Sequence, residues 1–168
     1  MTQKEFIKVL EEKGYSYEIE GDKIVVNHKT GLYLNELTSI PTGVEFRNEG
    51  GVILNSLTSL PPDAEFRNEG GVHLRSLTSL HPGMEFRNGG DVYLDSITSI
   101  SPGVEFKNDG DVNLSSITSI SPGVEFKNDG HVYLQSLIGG GFENWSGNID
   151  GIYNKMLLNL MIKQGVFI

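Results

Sequence analysis

Residues 31–50 read GLYLNELTSIPTGVEFRNEG, and close copies of this stretch occupy residues 51–70, 71–90, 91–110 and 111–130. A sixth copy begins at His131 and breaks off after Leu137. A fixed period of this length is typical of a solenoid, in which each unit is too small to bury its own apolar face and stacks on its neighbours instead. We call the five complete units rungs 1 to 5 and number the positions within each rung from 1 to 20.

Six positions are apolar in every rung: 2, 4, 7, 10, 14 and 16. In rung 4 they are Val92, Leu94, Ile97, Ile100, Val104 and Phe106. Positions 2 and 4, and again 14 and 16, alternate with polar residues, which predicts two short strands with one buried face each. Asparagine at position 18, glycine at position 20 and the Pro-Gly pairs at positions 12 and 13 supply turns. We therefore expect an all-β repeat fold, a short parallel β-solenoid with rungs about 4.8 Å apart.

The N-terminal residues 1–30 lie outside the repeat and predict a cap made of a helix and a β-hairpin. Thr2 and Glu5 have the spacing of a capping box, and Gly14 is a suitable stop for the helix that follows. Residues 15–20 and 23–27 are two strand-like runs around a Gly-Asp turn. A cap is expected because an open solenoid end exposes the core and unpaired strand edges.

The last thirty residues predict a second cap. Asp150 is a suitable N-cap, and apolar residues recur after it at helical spacing, so the expected organisation is an N-terminal cap at 1–30, a β-solenoid at 31–138 and a C-terminal helical cap at 139–168. This segment also carries more apolar residues than one rung end needs, which leaves self-association into a homodimer open beside simple capping. The residues concerned are Met156, Leu157, Leu160, Met161 and Phe167.

Composition narrows the classes of function. The chain of 168 residues has a net charge of −9, and residues 31–138 hold most of the excess, with fourteen acidic and six basic side chains. This balance argues against direct binding to nucleic-acid phosphates, which calls for basic stripes. There is no cysteine, so disulfides and thiolate metal sites are excluded. The sequence shows neither a secretory signal nor a membrane span, and the expectation is a cytoplasmic protein that does not bind membranes.

The rungs resemble the short leucine-rich repeats of bacterial proteins. The segment from Val92 to Ile100 is similar to the strand-and-turn half of such a repeat, and the segment from Leu57 to Pro61 is similar to its Leu-Thr-Ser-Leu-Pro variety. The resemblance covers residue 31 to about residue 138. It implies a protein-binding scaffold that contacts its partner through the exposed residues of the Val-x-Leu strand.

Positions 3 and 5 vary where the rest of the rung is nearly constant. They flank the buried position 4, so they are expected to point outward on one continuous face, which we call the strand face. Its predicted partner-binding residues are Tyr33, Ile53, His73, Arg75, Tyr93, Asp95, Asn113 and Tyr133. Tyrosine and arginine often anchor interfaces, and His73, Arg75, Tyr93 and Asp95 are predicted to be neighbours near the middle of the rod.

Other repeated columns are better explained by structure than by chemistry. Position 15 is always glutamate and position 17 is always basic, which suits a charge-balanced, solvated face. The threonine column at position 8 predicts stacked hydroxyl hydrogen bonds in preference to an ice-binding array, and the Asn-Asp-Gly corners predict turns in preference to calcium sites. No catalytic residue, metal or cofactor is predicted, because no phosphate loop, nucleophile elbow or triad is recognisable.

The leading hypothesis is a non-enzymatic solenoid that binds another protein, as a bacterial or phage inhibitor or adaptor would. The alternative is an acidic mimic of nucleic acid, by analogy with the pentapeptide-repeat inhibitors of topoisomerases, which are also straight acidic rods. In that case the acids Asp91, Asp95, Asp109 and Asp111 would carry the binding.

Overall fold

The computed structural model describes residues 1–134, 136 and 148–149. Helix α1 (Gln3–Glu12) begins at Thr2, whose hydroxyl accepts the Glu5 N–H at 3.2 Å while the Glu5 carboxylate accepts the Thr2 N–H at 2.7 Å. The predicted capping box is therefore present. Phe6 and Leu10 lie on the buried side of α1 and pack on the first turn of the solenoid.

The predicted hairpin follows as β1 (Tyr17–Glu20) and β2 (Lys23–Val26), which pair antiparallel. The later strands, in chain order, are β3 (Leu32–Tyr33), β4 (Val44–Phe46), β5 (Val52–Ile53), β6 (Glu65–Phe66), β7 (Val72–His73), β8 (Glu85–Phe86), β9 (Val92–Tyr93), β10 (Ser99–Ile100), β11 (Glu105–Phe106), β12 (Val112–Asn113), β13 (Ser119–Ile120), β14 (Glu125–Phe126), β15 (Val132–Tyr133) and β16 (Asn148–Ile149). Most are only two residues long because each rung turns three times in twenty residues.

The strands form an all-β parallel solenoid of about six turns. One sheet has the order β1-β2-β4-β6-β8-β11-β14, a second has β16-β15-β12-β9-β7-β5-β3, and β10 pairs with β13 on a third side. Each rung pairs with the next at a register of twenty residues, as in Val52 opposite Val72. The two antiparallel pairs are β1 with β2 and β15 with β16.

The N-terminal cap is continuous with the solenoid. Strand β2 lies parallel to β4, with Ile24 opposite Val44, and so supplies the turn below rung 1. The side chain of Gln3 donates to the carbonyls of Asp22 at 2.9 Å and Thr42 at 3.2 Å, and the Tyr15 hydroxyl accepts the Tyr33 N–H at 3.0 Å. The predicted C-terminal helical cap and its self-association residues lie outside the described residues, as do most of residues 139–168.

The six predicted apolar columns form the core. The phenylalanines of position 16 stack as a ladder, with ring centroids 5.1–5.6 Å apart and ring planes within 15° of parallel. Each buried phenylalanine contributes about 1.5–3 kcal/mol through the apolar area it removes from water. The predicted burial pattern is thus confirmed for the described rungs, where these side chains are at most 6% exposed.

Each rung turns between its two main strands at an asparagine corner, formed by positions 18 to 20 and position 1 of the next rung. The Asn88 amide is buried and donates to the carbonyls of Gly90 at 2.8 Å and Gly70, one rung below, at 3.2 Å. The other four asparagines of the column repeat this pattern. Each asparagine therefore closes its own turn and ties that turn to the rung below.

Glycine at position 20 lets successive rungs touch at the asparagine corner. A Cβ atom placed on Gly90 would lie 2.6 Å from the Gly71 nitrogen and 2.8 Å from the Gly70 carbonyl carbon, both in the backbone of the asparagine corner directly below. No side chain fits at that distance. The glycine column is therefore required by close approach of the backbones.

Positions 11 to 14 form a second turn, the proline corner. In rungs 1, 3, 4 and 5 it contains a glycine with φ between +74° and +82°. Rung 2 has Asp63 at this position, which has no positive φ, and its carboxylate accepts the Gly43 N–H at 2.8 Å. This corner therefore tolerates a different turn in one rung.

Candidate binding face

The sheet that contains β3, β5, β7, β9, β12 and β15 places the strand face on the surface. Positions 2 and 4 of each rung are buried, as Val92 and Leu94 show at 0% exposure, so the side chain at position 3 points outward between them. The register sets Ile53, His73, Tyr93, Asn113 and Tyr133 directly above one another, and Tyr33 lies at the N-terminal end of the same column. The structure thus brings all the predicted position-3 residues onto one column.

The centre of this face is a compact group of four side chains, which we call the Tyr93 cluster: His73, Arg75, Tyr93 and Asp95. The rings of His73 and Tyr93 stack at a centroid distance of 4.5 Å and an angle of 17°. The Arg75 guanidinium lies 4.5 Å from the centre of the Tyr93 ring, and its Nη1 donates to the Asp95 carboxylate at 3.1 Å. Stacking, cation–π and ion-pair contacts hold the group together.

Asp91 fixes the position of Tyr93 from the neighbouring corner. The Tyr93 hydroxyl donates to Asp91 Oδ2 at 2.9 Å, while Asp91 Oδ1 accepts the Asp111 N–H at 2.8 Å. Sequence analysis did not assign this role to Asp91. A signal was present, since position 1 changes from glycine in rungs 1 to 3 to aspartate in rungs 4 and 5.

The surroundings set the charge of the cluster. The hydrogen bond to Asp91, helped by partial burial, raises the pKa of the Tyr93 hydroxyl, which therefore stays protonated at neutral pH. Burial, and secondly the charge of Arg75, lowers the pKa of His73, so its imidazole is neutral near pH 7. The cluster presents one guanidinium and one carboxylate beside two uncharged aromatic rings.

The remaining residues of the strand face are not drawn into this cluster. Tyr33 is 62% exposed at one end of the column, and Ile53 is half-buried beside it. The Asn113 side chain accepts the Ser115 N–H at 3.1 Å, which occupies it within its own strand. The Tyr133 hydroxyl lies 3.4 Å from Asp111 Oδ2. Tyr133 also lies beside the His131 ring, at a centroid distance of 6.1 Å, so it has contacts of its own outside the Tyr93 cluster.

The charge columns at positions 15 and 17 pair with each other. Lys107 bridges Glu85 at 2.9 Å and Glu105 at 2.5 Å, and Lys127 continues the chain of ion pairs to Glu105 at 3.1 Å. Glu45 is only 2% exposed and is surrounded by Lys23, Arg47 and Arg67. The predicted charge balance is present, and burial of its first glutamate was not foreseen.

The threonine column at position 8 forms hydrogen bonds with the backbone of the neighbouring rung. The hydroxyls of Thr78 and Thr118 donate to the carbonyls of Thr58 and Thr98, one rung below, at 3.1 and 3.0 Å.

Within the described residues there is no group of three or more histidine, aspartate or glutamate side chains arranged to hold a metal ion. No helix in the described part of the chain has the length and hydropathy required to cross a bilayer.

No protein-family model, curated protein or solved structure matches this chain.

Proposed function

We propose that this protein is a non-enzymatic binding module that contacts another protein through the strand face, with the Tyr93 cluster at the centre of the contact. The observation that carries the proposal is the preassembly of this cluster. Aromatic, basic and acidic side chains from two adjacent rungs touch one another at the surface, and aromatic and arginine side chains are the usual anchors of interfaces. Because they are already in place, less side-chain entropy is lost on binding.

The rigid scaffold below the cluster supports the same proposal. Val92 and Leu94 anchor the strand on either side of Tyr93, and Asp91 holds its hydroxyl. A leucine-rich-repeat-like mode of binding, through the exposed residues of the strand, belongs to the proposal. So does the role of a cytoplasmic inhibitor or adaptor from a bacterium or phage, which would act by covering a surface of a host protein.

The test begins with capture of a partner from a bacterial lysate and continues with measured affinities. Tyr93→Ala and Arg75→Ala should each cost about 1–3 kcal/mol, or roughly 5- to 150-fold in Kd, because each removes a central anchor. Ser79→Ala, on an exposed position outside the strand face, is the matched control and should leave Kd unchanged. Unchanged affinity in both cluster variants would reject the strand face as the binding site.

A nucleic-acid mimic is the second candidate, and one observation favours it. The glutamates of position 15 are paired with bases, but the acids of position 19 form a separate exposed column along the asparagine corner. They are Glu49, Glu69, Asp109 and Asp129. A basic, DNA-binding partner could recognise such a column in place of phosphates.

Salt dependence separates the two candidates. A variant with Glu49 and Glu69 changed to Gln and with Asp109 and Asp129 changed to Asn keeps the shape of these side chains, removes the four charges of this column and leaves the Tyr93 cluster intact. Under the mimic hypothesis this variant loses binding, and the affinity of the parent falls steeply with salt. If Tyr93→Ala then has no effect, the mimic replaces the strand-face proposal.

A further inference from the structure

The seven-stranded sheet ends at the N-terminal hairpin, and its last strand, β1, has an open outer edge. Strand β1 pairs with β2 on one side only, and no described residue pairs with its other side. It is four residues long, twice the length of most strands in the rungs. Its Ile19 is 56% exposed and is one of three exposed large apolar side chains among the described residues.

The hydrogen-bond pattern shows which backbone groups face outward. The Asn27 N–H donates to the Ser16 carbonyl at 3.2 Å, so this pair, one step beyond the hairpin register, is a hydrogen-bonded pair. Bonded and non-bonded pairs alternate along an antiparallel ladder. Tyr17 and Ile19 therefore belong to non-bonded pairs and direct their N–H and C=O groups away from β2.

The opposite strand confirms this assignment. Ile24, the partner of Ile19, donates its N–H to the Gly43 carbonyl at 2.7 Å, and Val26, the partner of Tyr17, accepts the Arg47 N–H at 2.8 Å. Both residues thus turn their backbone groups towards rung 1 and away from β1. The outer edge of β1 offers two donors and two acceptors at strand spacing.

The side chains around this edge are acidic. Glu18 and Glu20 project from one face of β1, where Glu18 accepts the Asn27 side-chain N–H at 2.7 Å and Glu20 pairs with Arg47 at 2.9 Å. On the other face the Tyr17 hydroxyl donates to Glu11 at 2.9 Å. If β1 of a second copy paired antiparallel with this edge, with Ile19 opposite Ile19, each Glu18 would lie opposite Glu20 of the other chain. Like charges directly opposite each other destabilise a strand pair. The edge is therefore better suited to a basic segment than to a copy of itself.

We propose that the outer edge of β1 is a docking strand that takes a short, extended, basic segment of a partner protein by β-augmentation. The four outward backbone groups pair with the segment, Ile19 packs against an apolar side chain, and Glu18, whose partner in this chain is the neutral Asn27 amide, faces a lysine or arginine of the segment. This site lies on the N-terminal cap and is independent of the strand face.

The probe is a blocked pentapeptide of alternating lysine and valine, titrated into the full chain, with a glutamate–valine pentapeptide as the charge-reversed control. The lysine peptide should bind and should shift the amide resonances of Tyr17 and Ile19 in a ¹⁵N-labelled sample, while the glutamate peptide should not. The Tyr93→Ala variant should bind the lysine peptide as the parent does. No binding of the lysine peptide at millimolar concentration overturns the proposal.

Two variants test the backbone and the charge separately. Ile19→Pro removes an outward N–H and no inward one, so binding should weaken about tenfold or more, whereas Ile19→Thr keeps the N–H and should retain most of the affinity. Glu18→Lys leaves the backbone unchanged and should bind the glutamate peptide more tightly than the lysine peptide. This variant also tests the site if Ile19→Pro fails to fold. Binding that is insensitive to both Ile19→Pro and Glu18→Lys refutes the docking strand. The docking strand is also refuted if sedimentation shows that the parent is a dimer and that Ile19→Pro is a monomer, because that result assigns the edge to a second copy.

Discussion

At the asparagine corner the backbones of successive rungs are in direct contact, whereas at the proline corner they lie farther apart, and a Cβ placed on Gly103 would be 3.6 Å from the nearest backbone atom of the rung below. The first corner has the same residues at positions 18 and 20 in all five rungs, Asn48 and Gly50 in the first. The second varies from Pro-Thr-Gly-Val in rung 1 to Pro-Pro-Asp-Ala in rung 2 and His-Pro-Gly-Met in rung 3. The direct contact at the asparagine corner leaves no room for a side chain at position 20, and the wider spacing at the proline corner permits variation.

The junction between rungs 2 and 3 shows the consequence. Strands β6 and β8 are matched only at Phe66 and Phe86, while the neighbouring junctions are also matched at the glutamate of position 15. Phe66 and Phe86 have the widest ring spacing of the ladder, 5.6 Å. Among the described residues no ion pair joins Arg87 to Glu65, although the equivalent pairs Arg67–Glu45 and Lys107–Glu85 are present.

A cavity of about 240 Å³ opens at this same place, lined by Pro62, Ala64, Glu65, Met84, Glu85 and Arg87 among others. The junction is therefore closed at the asparagine corner and open at the proline corner. Ala64 is smaller than the valine found in rungs 1, 4 and 5, and Asp63 does not adopt the positive φ of the glycine at this position in the other rungs. These two residues account for the opening.

The largest expected difference between the corners comes from adding one methyl group. Gly90→Ala should lower the free energy of unfolding by roughly 3–5 kcal/mol, because the new Cβ meets backbone atoms of the rung below. Gly83→Ala, at the proline corner, meets nothing within 4 Å and should cost about 1 kcal/mol through its φ of +74°. Chemical denaturation of both variants measures the difference, and equal losses would contradict the close-approach account.

Removal of one asparagine tests the hydrogen bonds of the first corner. Asn88→Ala leaves the carbonyls of Gly70 and Gly90 without their side-chain donor and should cost about 1–3 kcal/mol. Part of the loss is offset, because the Asn88 amide oxygen is buried without a hydrogen-bond partner among the described residues. Ser79→Ala, on an exposed position, is the control and should cost less than about 0.5 kcal/mol in the same denaturation experiment.

A stabilising change is expected at the open corner. Ala64→Val fills part of the cavity and should add about 1 kcal/mol of stability, while Val104→Ala at the closed junction should remove about 2 kcal/mol.

Amide exchange gives a local readout of the open corner. Glu105 and Glu125 donate their N–H groups to the rung below at 2.9 and 3.0 Å, and the Glu85 N–H should exchange faster than both. If Glu85 is equally protected, the junction is not open in solution.

The smallest effect concerns acid stability. The hydrogen bond from Lys107 is the main cause that lowers the pKa of Glu85 and Glu105. Carboxylates with a lowered folded-state pKa stabilise the protein above the usual glutamate value, near 4.3, and that stability is lost as the pH falls through the lowered pKa. Lys107→Met should therefore move acid unfolding to higher pH, by roughly a few tenths of a pH unit because these pairs are exposed.

Arg87→Met is the matched control for this acid titration. Arg87 pairs with Glu85 in its own rung and bridges no junction, so its loss should shift the midpoint less than the loss of Lys107 does. Fluorescence or circular dichroism followed against pH gives both midpoints. A larger shift for Arg87→Met would show that bridging between rungs is not what matters.

Much of the fold could be predicted because the period of twenty residues determines the register. Once Val52 is matched with Val72, every apolar column and the adjacency of Arg75 to Tyr93 follow from counting. The repeat period does not determine the rotamers of the side chains. The bond from Tyr93 to Asp91 and the burial of Glu45 depend on such rotamers. The open corner was indicated by Asp63, which departs from the glycine column, but its effect on the next rung depends on packing.

The contacts of the N-terminal cap have a consequence for how the chain finds its stacking order. Because the rungs share the same columns, rung 3 placed on rung 1, with rung 2 looped out, would still match phenylalanine to phenylalanine. Gln3 and Tyr15 bond to groups in the turn below rung 1 and in rung 1 itself, and no rung repeats these contacts. Assembly that starts at the cap therefore has a fixed first rung on which the next can stack, whereas assembly that starts mid-chain has no such fixed point.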